Sequence, residues 1–249
     1  MLNQPLFDKL LQLRLPAFRE GLREQQNNPQ YAQLSFEERL TLLVDQECTR
    51  RSQNYLKRRL KLADFPLRAT IEELDFTPER NLDRRLILEL AQCHWVSNHL
   101  NLLILGATGV GKTFLSCAYG HAAARAGFSV RYVRTSRLLH TLNLSRQEGS
   151  YATTLRSLAK VEVLIFDDWM RDALTMANAQ DLLEVFDDRF GHAATIIASQ
   201  VPVADWHVRF PDPTLADAIL DRLVHNAYRL SLLGDSQRRL RAIRTMSNT

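Results

Sequence analysis

Residues Gly106 to Thr113 read GATGVGKT and satisfy G-x-x-x-x-G-K-[ST], the phosphate-binding P-loop. At average residue frequencies the four specified positions arise by chance in roughly one chain in a hundred of this length, so the flanking pattern decides. An apolar run (Leu102, Leu103, Ile104, Leu105) precedes the loop and an amphipathic stretch (Phe114, Leu115, Cys117, Ala118, His121, Ala122) follows it, the strand–loop–helix order that the chemistry needs. Gly106 and Gly111 permit the tight path that turns the N–H groups of Ala107, Thr108, Gly109 and Val110 inward, and the following helix adds its positive dipole end. Lys112 is expected to reach the β- and γ-phosphates of ATP or GTP, Thr113 to offer its hydroxyl to Mg²⁺, and Phe114 to continue the cofactor-binding stretch. Downstream, the apolar segment VEVLIF (Val161 to Phe166) delivers Asp167 and Asp168, the Walker B pattern. A hard cation beside a triphosphate favours carboxylate oxygen, which assigns Mg²⁺ to Asp167 and leaves Asp168 to orient or deprotonate the attacking water. The tip of a later strand carries Ser199-Gln200, either a γ-phosphate contact or a hydrogen-bonded strand end.

These residues require a scaffold of alternating strands and helices. The strands are expected at Leu102–Leu105, Ser129–Val133, Val161–Phe166, Thr195–Ala198 and Tyr228–Leu232, with helices between them ending at Gly127 and Gly191. That pattern predicts an α/β fold, a doubly wound and mainly parallel five-stranded sheet. A helix opened by Thr77-Pro78 and carrying Leu82, Leu86 and Leu90 on one face is expected to lead into the P-loop strand, with Leu74 or Phe76 near the nucleotide base. The N-terminal residues read as a helical hairpin or a helix bent at Pro16, then a turn at Asn27-Asn28-Pro29, then a long helix capped by Ser35 and Glu38 and ended by Phe65-Pro66. Expected divisions are residues 1–66 (N-terminal helical domain), 67–98 (linker and pre-sheet helix) and 99–249 (P-loop domain).

The chain of 249 residues has a net charge of +4, so the placement of charge says more than its total. No signal-like start or membrane-length apolar run is visible, and three widely spaced cysteines (Cys48, Cys93, Cys117) fit a reducing compartment, so a cytoplasmic location is expected. The long N-terminal helix concentrates Arg50, Arg51, Lys57, Arg58, Arg59 and Lys61 at its far end, which reads as a solvated face or a nucleic-acid contact. Arg134, Arg137 and Arg146 surround the helix after the second strand. With no base-reading motif, a nucleic-acid contact made by these arginines, including Arg58 and Arg59, is expected to go mainly to phosphates.

The order of signals resembles the AAA+ ATPases: P-loop, Walker B acids, strand-end polar pair, then a helix bearing Arg222 before the last strand. The helical insertion between the second and third strands is similar to that of their initiator and helicase-loader branch. Within that branch the chain resembles the IstB-like transposition helper ATPases, through LSFEERL and LKLADFP (Leu34 to Pro66), GATGVGKT, VLIFDDW, IIASQVPVADWH and DRLVHNAYRLSLLGDSQR. The resemblance implies an ATPase that uses ATP and Mg²⁺, assembles on DNA as a homo-oligomer and assists a partner transposase of the same insertion element. It further implies that Ser199 or Gln200 senses the γ-phosphate and that Arg222 acts as an arginine finger in trans. Two departures stand out. Asp168 replaces the more usual Glu, which implies slow hydrolysis, and little chain follows the fifth strand, leaving little or no C-terminal lid and only Arg238 or Arg239 as a second sensor. A replicative-helicase loader, a DNA-binding module gated by nucleotide with negligible hydrolysis, and a P-loop kinase are the competing readings.

Overall fold

In the computed structural model, which describes residues 4–237, the leucines at the start of the chain fall on two helices, α1 (Gln4–Gln12) and α2 (Pro16–Asn27). Arg14 takes a left-handed conformation between them and Pro16 starts α2, a position where its missing N–H costs nothing. No residue of the preceding loop caps α2. Instead Glu47, buried on α3 (Phe36–Ala63), accepts hydrogen bonds from Ala17 N (2.9 Å) and Phe18 N (3.2 Å). The capping box at the head of α3 is present: Ser35 N donates to Glu38 Oε2 (2.7 Å) and Glu38 N to Ser35 Oγ (3.2 Å). Residues up to Arg58 form one compact unit and those from Arg59 onward another, so the division falls within α3 and not at its end.

The second unit runs through two 3₁₀ turns, Ile71–Glu73 and Pro78–Arg80, into α4 (Arg84–Ala91) and α5 (His94–Ser97). Here the structure departs from the expected helix. Thr77-Pro78 opens one 3₁₀ turn that Asn81 ends in a left-handed conformation (φ 53°), and Asp83 then caps α4 by accepting from Arg85 N (2.8 Å). The buried face is Ile87 and Leu90. The strands and helices that follow are β1 (Asn101–Gly106), α6 (Lys112–Ala126), β2 (Val130–Arg134), α7 (Thr135–Gln147), α8 (Tyr151–Ala159), β3 (Val163–Trp169), α9 (Met176–Arg189), β4 (Ala194–Ser199), α10 (Pro213–Val224) and β5 (Ala227–Leu232). All strand pairs are parallel in the order β2-β3-β4-β1-β5, with Leu102 opposite both Ile196 and Tyr228. Helices cover both faces of such a sheet, which is why Leu102, Leu103 and Ile104 of β1 are wholly buried. Ligand sites in open parallel sheets lie at the carboxyl ends of the strands, where β1 delivers the P-loop.

Aromatic packing fixes one flank. Phe166, Trp169, Phe186 and Trp206 stack edge-on or tilted with centroid separations of 5.2–6.0 Å, and the Trp206 indole N–H donates to Val201 O (2.9 Å). The VPVADWH stretch is therefore an ordered connection anchored by a buried tryptophan. Arg189, 2% exposed, ends α9 by donating to Leu158 O (2.7 Å), Val161 O (2.6 Å) and Ala194 O, and has no carboxylate partner among the described residues. It satisfies carbonyls at the α8–β3 connection and the head of β4. Arg189→Met is expected to destabilise the protein by about 2–4 kcal/mol, because those carbonyls lose their donors. The check is a lower denaturant midpoint at unchanged slope.

Candidate nucleotide site

The P-loop folds as it does because three of its positions take positive φ: Gly106 (148°), Gly109 (89°) and Gly111 (106°). At Gly106 a Cβ would also lie 2.4 Å from Leu232 O on β5, so no larger residue fits at the exit of β1. Val110 is buried under the loop while Ala107 and Thr108 are exposed on it. The Lys112 Nζ donates to Gly106 O (2.8 Å) and Ala107 O (2.8 Å), holding the ammonium inside the cradle at the head of α6. Thr113 Oγ1 donates to Asp167 Oδ2 (2.7 Å). Thr108 Oγ1 donates to Gln200 Oε1 (2.6 Å), joining the loop to the tip of β4.

Asp167 is 4% exposed and fully engaged. Its Oδ2 accepts from Thr113 and from Tyr132 OH (2.6 Å), its Oδ1 from Asp168 N (2.9 Å), and its carbonyl from Thr135 Oγ1 (3.0 Å). Asp168, the next residue, turns outward. The β3–β4 register shifts between Phe166 and Trp169, and Asp168 and Met170 both have φ of 55°. Those two left-handed residues send Trp169 into the core and leave the Asp168 side chain 44% exposed, 3.8 Å from the Arg171 guanidinium. Aspartate tolerates that conformation better than most residues, at a cost of about 1–2 kcal/mol.

Thr108, Lys112, Thr113, Asp167, Asp168 and Gln200 line one cleft of about 600 Å³ together with Phe114, Leu67, Leu74, Asp75, Arg80 and Gln237. Its volume suits a nucleotide. The glycine cradle at the head of a long helix fits a triphosphate, and the all-oxygen pair of Thr113 and Asp167 fits a hard divalent cation. Of the two residues named for the base, Leu74 lines the cleft and Phe76 instead carries the Arg84 guanidinium over its ring.

A family model described as IstB-like ATP binding protein matches residues 8–245. This chain belongs to that family. A Sinorhizobium fredii protein described as an insertion sequence ATP-binding protein is 44% identical over 239 residues, covering 96% of this chain and 98% of the relative. Another such protein, from insertion sequence IS1162 of Pseudomonas fluorescens, is 46% identical over 203 residues, covering 81% and 88%. The crystal structure of the DnaC helicase loader superposes with a TM-score of 0.56 at 19% identity, covering 71% of this chain and 99% of that one. At that identity the likeness shows the AAA+ fold alone.

Other predicted residues of this IstB-like protein lie elsewhere. Ser199 is wholly buried. Its hydroxyl lies 2.8 Å from Trp169 O and accepts from Val201 N (3.0 Å), so it closes the bulge between β3 and β4, and of the strand-end pair only Gln200 faces the cleft. Arg222 sits on α10, paired with Asp187 of α9 and donating to Ala218 O (2.6 Å). Among the arginines expected on DNA, Arg134 lines the nucleotide cleft beside Asp167 and Asp168. Arg146 pairs with buried Asp181 and stacks 3.9 Å over the Tyr151 ring, bracing α7 against α9, with about half of its side chain still exposed. Arg137 is exposed on the first turn of α7; on α3, Arg58 is exposed and Arg59 half-buried. Arg238 and Arg239 lie outside the described residues.

Two cleft residues and a third buried behind them carry no nucleotide-binding motif that would have singled them out. Arg80, 5% exposed, donates to Asp75 O (2.8 Å) and to Val110 O (3.0 Å) of the P-loop, and burial lowers its pKa. Gln237 N donates to Gly109 O (2.9 Å). Tyr132, the third, had a weaker signal: alternation in SVRYV places it on the same buried side as Val130.

Proposed function

We propose that this chain is a Mg²⁺-dependent ATPase that assembles as a homo-oligomer on duplex DNA and regulates transposition by stimulating a partner transposase. The observation that carries the catalytic part is the union of Thr113 and Asp167 at the P-loop, with Asp168 exposed to the same cleft. The relatives named for insertion sequences supply the biological part, because their similarity runs over nearly the whole chain and not only over the nucleotide motifs. In this reading Lys112 and the loop amides hold phosphate, Thr113 and Asp167 hold the cation, Asp168 orients water and Gln200 monitors the γ-phosphate. Arg222 completes the site of a neighbouring subunit. The protein works in the cytoplasm; among the described residues no helix is long and apolar enough to cross a membrane.

ATP turnover measured with and without duplex DNA tests the proposal. Strong stimulation is the expected result, and turnover indifferent to DNA removes it. For the DNA surface, Arg137 is the more exposed candidate on α7 beside the ion-paired Arg146, with Arg58 and Arg59 on α3. Arg137→Ala is expected to weaken all duplexes alike and to flatten the log–log salt dependence of binding by about 0.9 for each phosphate no longer neutralised. ATP affinity stays at the parental value. A loss confined to one DNA sequence would point instead to base readout.

A further inference from the structure

Tyr132 stands on the edge strand β2, next to β3 and outside every nucleotide-binding motif of the chain. Strand register pairs Tyr132 with Ile165 and Arg134 with Asp167, which brings the tyrosine ring under the end of β3. The ring is 8% exposed, and its hydroxyl donates to Asp167 Oδ2 at 2.6 Å, within the range of a charge-assisted hydrogen bond. A buried phenol needs a partner, and a buried carboxylate needs donors; each supplies the other.

The other donor to Oδ2 is Thr113, the residue whose hydroxyl is also assigned to the cation. With a cation present, Thr113 would share its hydroxyl oxygen with the metal, while Tyr132 on Oδ2 and Asp168 N on Oδ1 would keep the carboxylate oriented. Burial, then the hydrogen bond to Asp167, raises the Tyr132 phenol above its ordinary range. The Arg134 guanidinium lies against the same hydroxyl from the cleft side.

We propose that Tyr132 is a positioning residue for the metal site: it donates to Asp167 and fixes the carboxylate in the orientation that binds the nucleotide's divalent cation. The inference rests on the assignment of Asp167 as the cation's ligand. Donors behind a metal-binding carboxylate typically account for about 10–100-fold in metal affinity.

The test uses the full chain and a fluorescent ATP analogue, titrated in EDTA and across a series of Mg²⁺ concentrations, for the parent, Tyr132→Phe and Asp167→Asn. Tyr132→Phe removes one oxygen and keeps the ring, and its melting curve reports whether the fold is retained. The expected result is parental affinity in EDTA with the Mg²⁺ half-saturation raised about tenfold. An unchanged Mg²⁺ midpoint overturns the proposal. So does an equal loss of nucleotide affinity with and without Mg²⁺, which would make Tyr132 a packing residue. Asp167→Asn separates the two levels: if its Mg²⁺ dependence also matches the parent, the assignment of Asp167 fails, whereas a changed dependence there with none in Tyr132→Phe sinks the tyrosine alone. Tyr132→Leu, which removes the ring as well, is expected to shift the Mg²⁺ midpoint no further than Tyr132→Phe while lowering the melting temperature.

Discussion

Replacing Lys112 by alanine lowers ATP affinity by about 10²–10³-fold, the scale of removing one partner from a desolvated charge pair. The reason is positional. The ammonium is held within the cradle by the carbonyls of Gly106 and Ala107, so its charge is in place before a nucleotide arrives and little side-chain ordering remains to oppose binding. Truncation is not expected to unfold the protein, because α6 is anchored by buried Leu115, Cys117, Ala118 and Tyr119 further along the helix. Titration of the folded variant with a fluorescent nucleotide checks this, and an unchanged affinity would remove Lys112 from the phosphate role.

Lys112 is legible in the sequence because the P-loop encodes its own geometry: glycines at fixed offsets, a strand before and a helix after. The five strands are legible for the related reason that buried parallel strands read as apolar runs, and β1, β3 and β4 carry few polar residues before their tips. What the sequence hides depends on contacts between segments distant along the chain. Arg80 reaches Val110 across thirty positions, and Tyr132 reaches Asp167 across thirty-five, separations that no local pattern records. Arg146 has the same kind of hidden partner: Asp181, which pairs with it, comes from a different helix.

Local chemistry also misleads where two signals compete. Thr77-Pro78 is a sound helix start, yet Asp83 is a better one because its carboxylate accepts from both Arg85 N and Leu86 N. The helix therefore begins at the second signal. At the end of β3 the apolar run stops at Phe166 in the sequence, but the strand continues through Asp167 and Asp168 to Trp169 by way of a bulge. The bulge is what separates the two acids, one held beneath the loop and the other open to the cleft. It also takes Ser199 out of the site, since closing the bulge uses the serine hydroxyl.

That backbone determines which variant of Asp168 is informative. Asp168 is left-handed, and asparagine is among the few residues that share this tolerance, so Asp168→Asn changes charge while keeping the turn. Alanine would confound missing chemistry with strain. Asp168→Asn is therefore expected to bind ATP as the parent does and to lose hydrolysis. Arg222→Ala is expected to fail differently. The backbone carbonyl of Arg222 accepts from Asn101 Nδ2 (3.0 Å) at the first residue of β1, whereas the P-loop leaves the last residue, Gly106. Five residues of strand separate these points by about 16 Å, so Arg222 lies at the opposite end of the strands from its own nucleotide cleft. Any catalytic contribution must act on another subunit, and removing it is expected to reduce turnover by about 10³-fold with ATP binding intact. Mixing decides the matter. In a head-to-tail assembly of the two inactive variants, about a quarter of the interfaces pair an intact Asp168 with an intact Arg222, and turnover returns in proportion. No recovery, with assembly confirmed by light scattering, assigns Arg222 to its ion pair with Asp187 instead. Asp187→Asn then separates the roles: a trans-acting Arg222 survives the loss of that partner with turnover largely retained, whereas a structural one fails just as Arg222→Ala does.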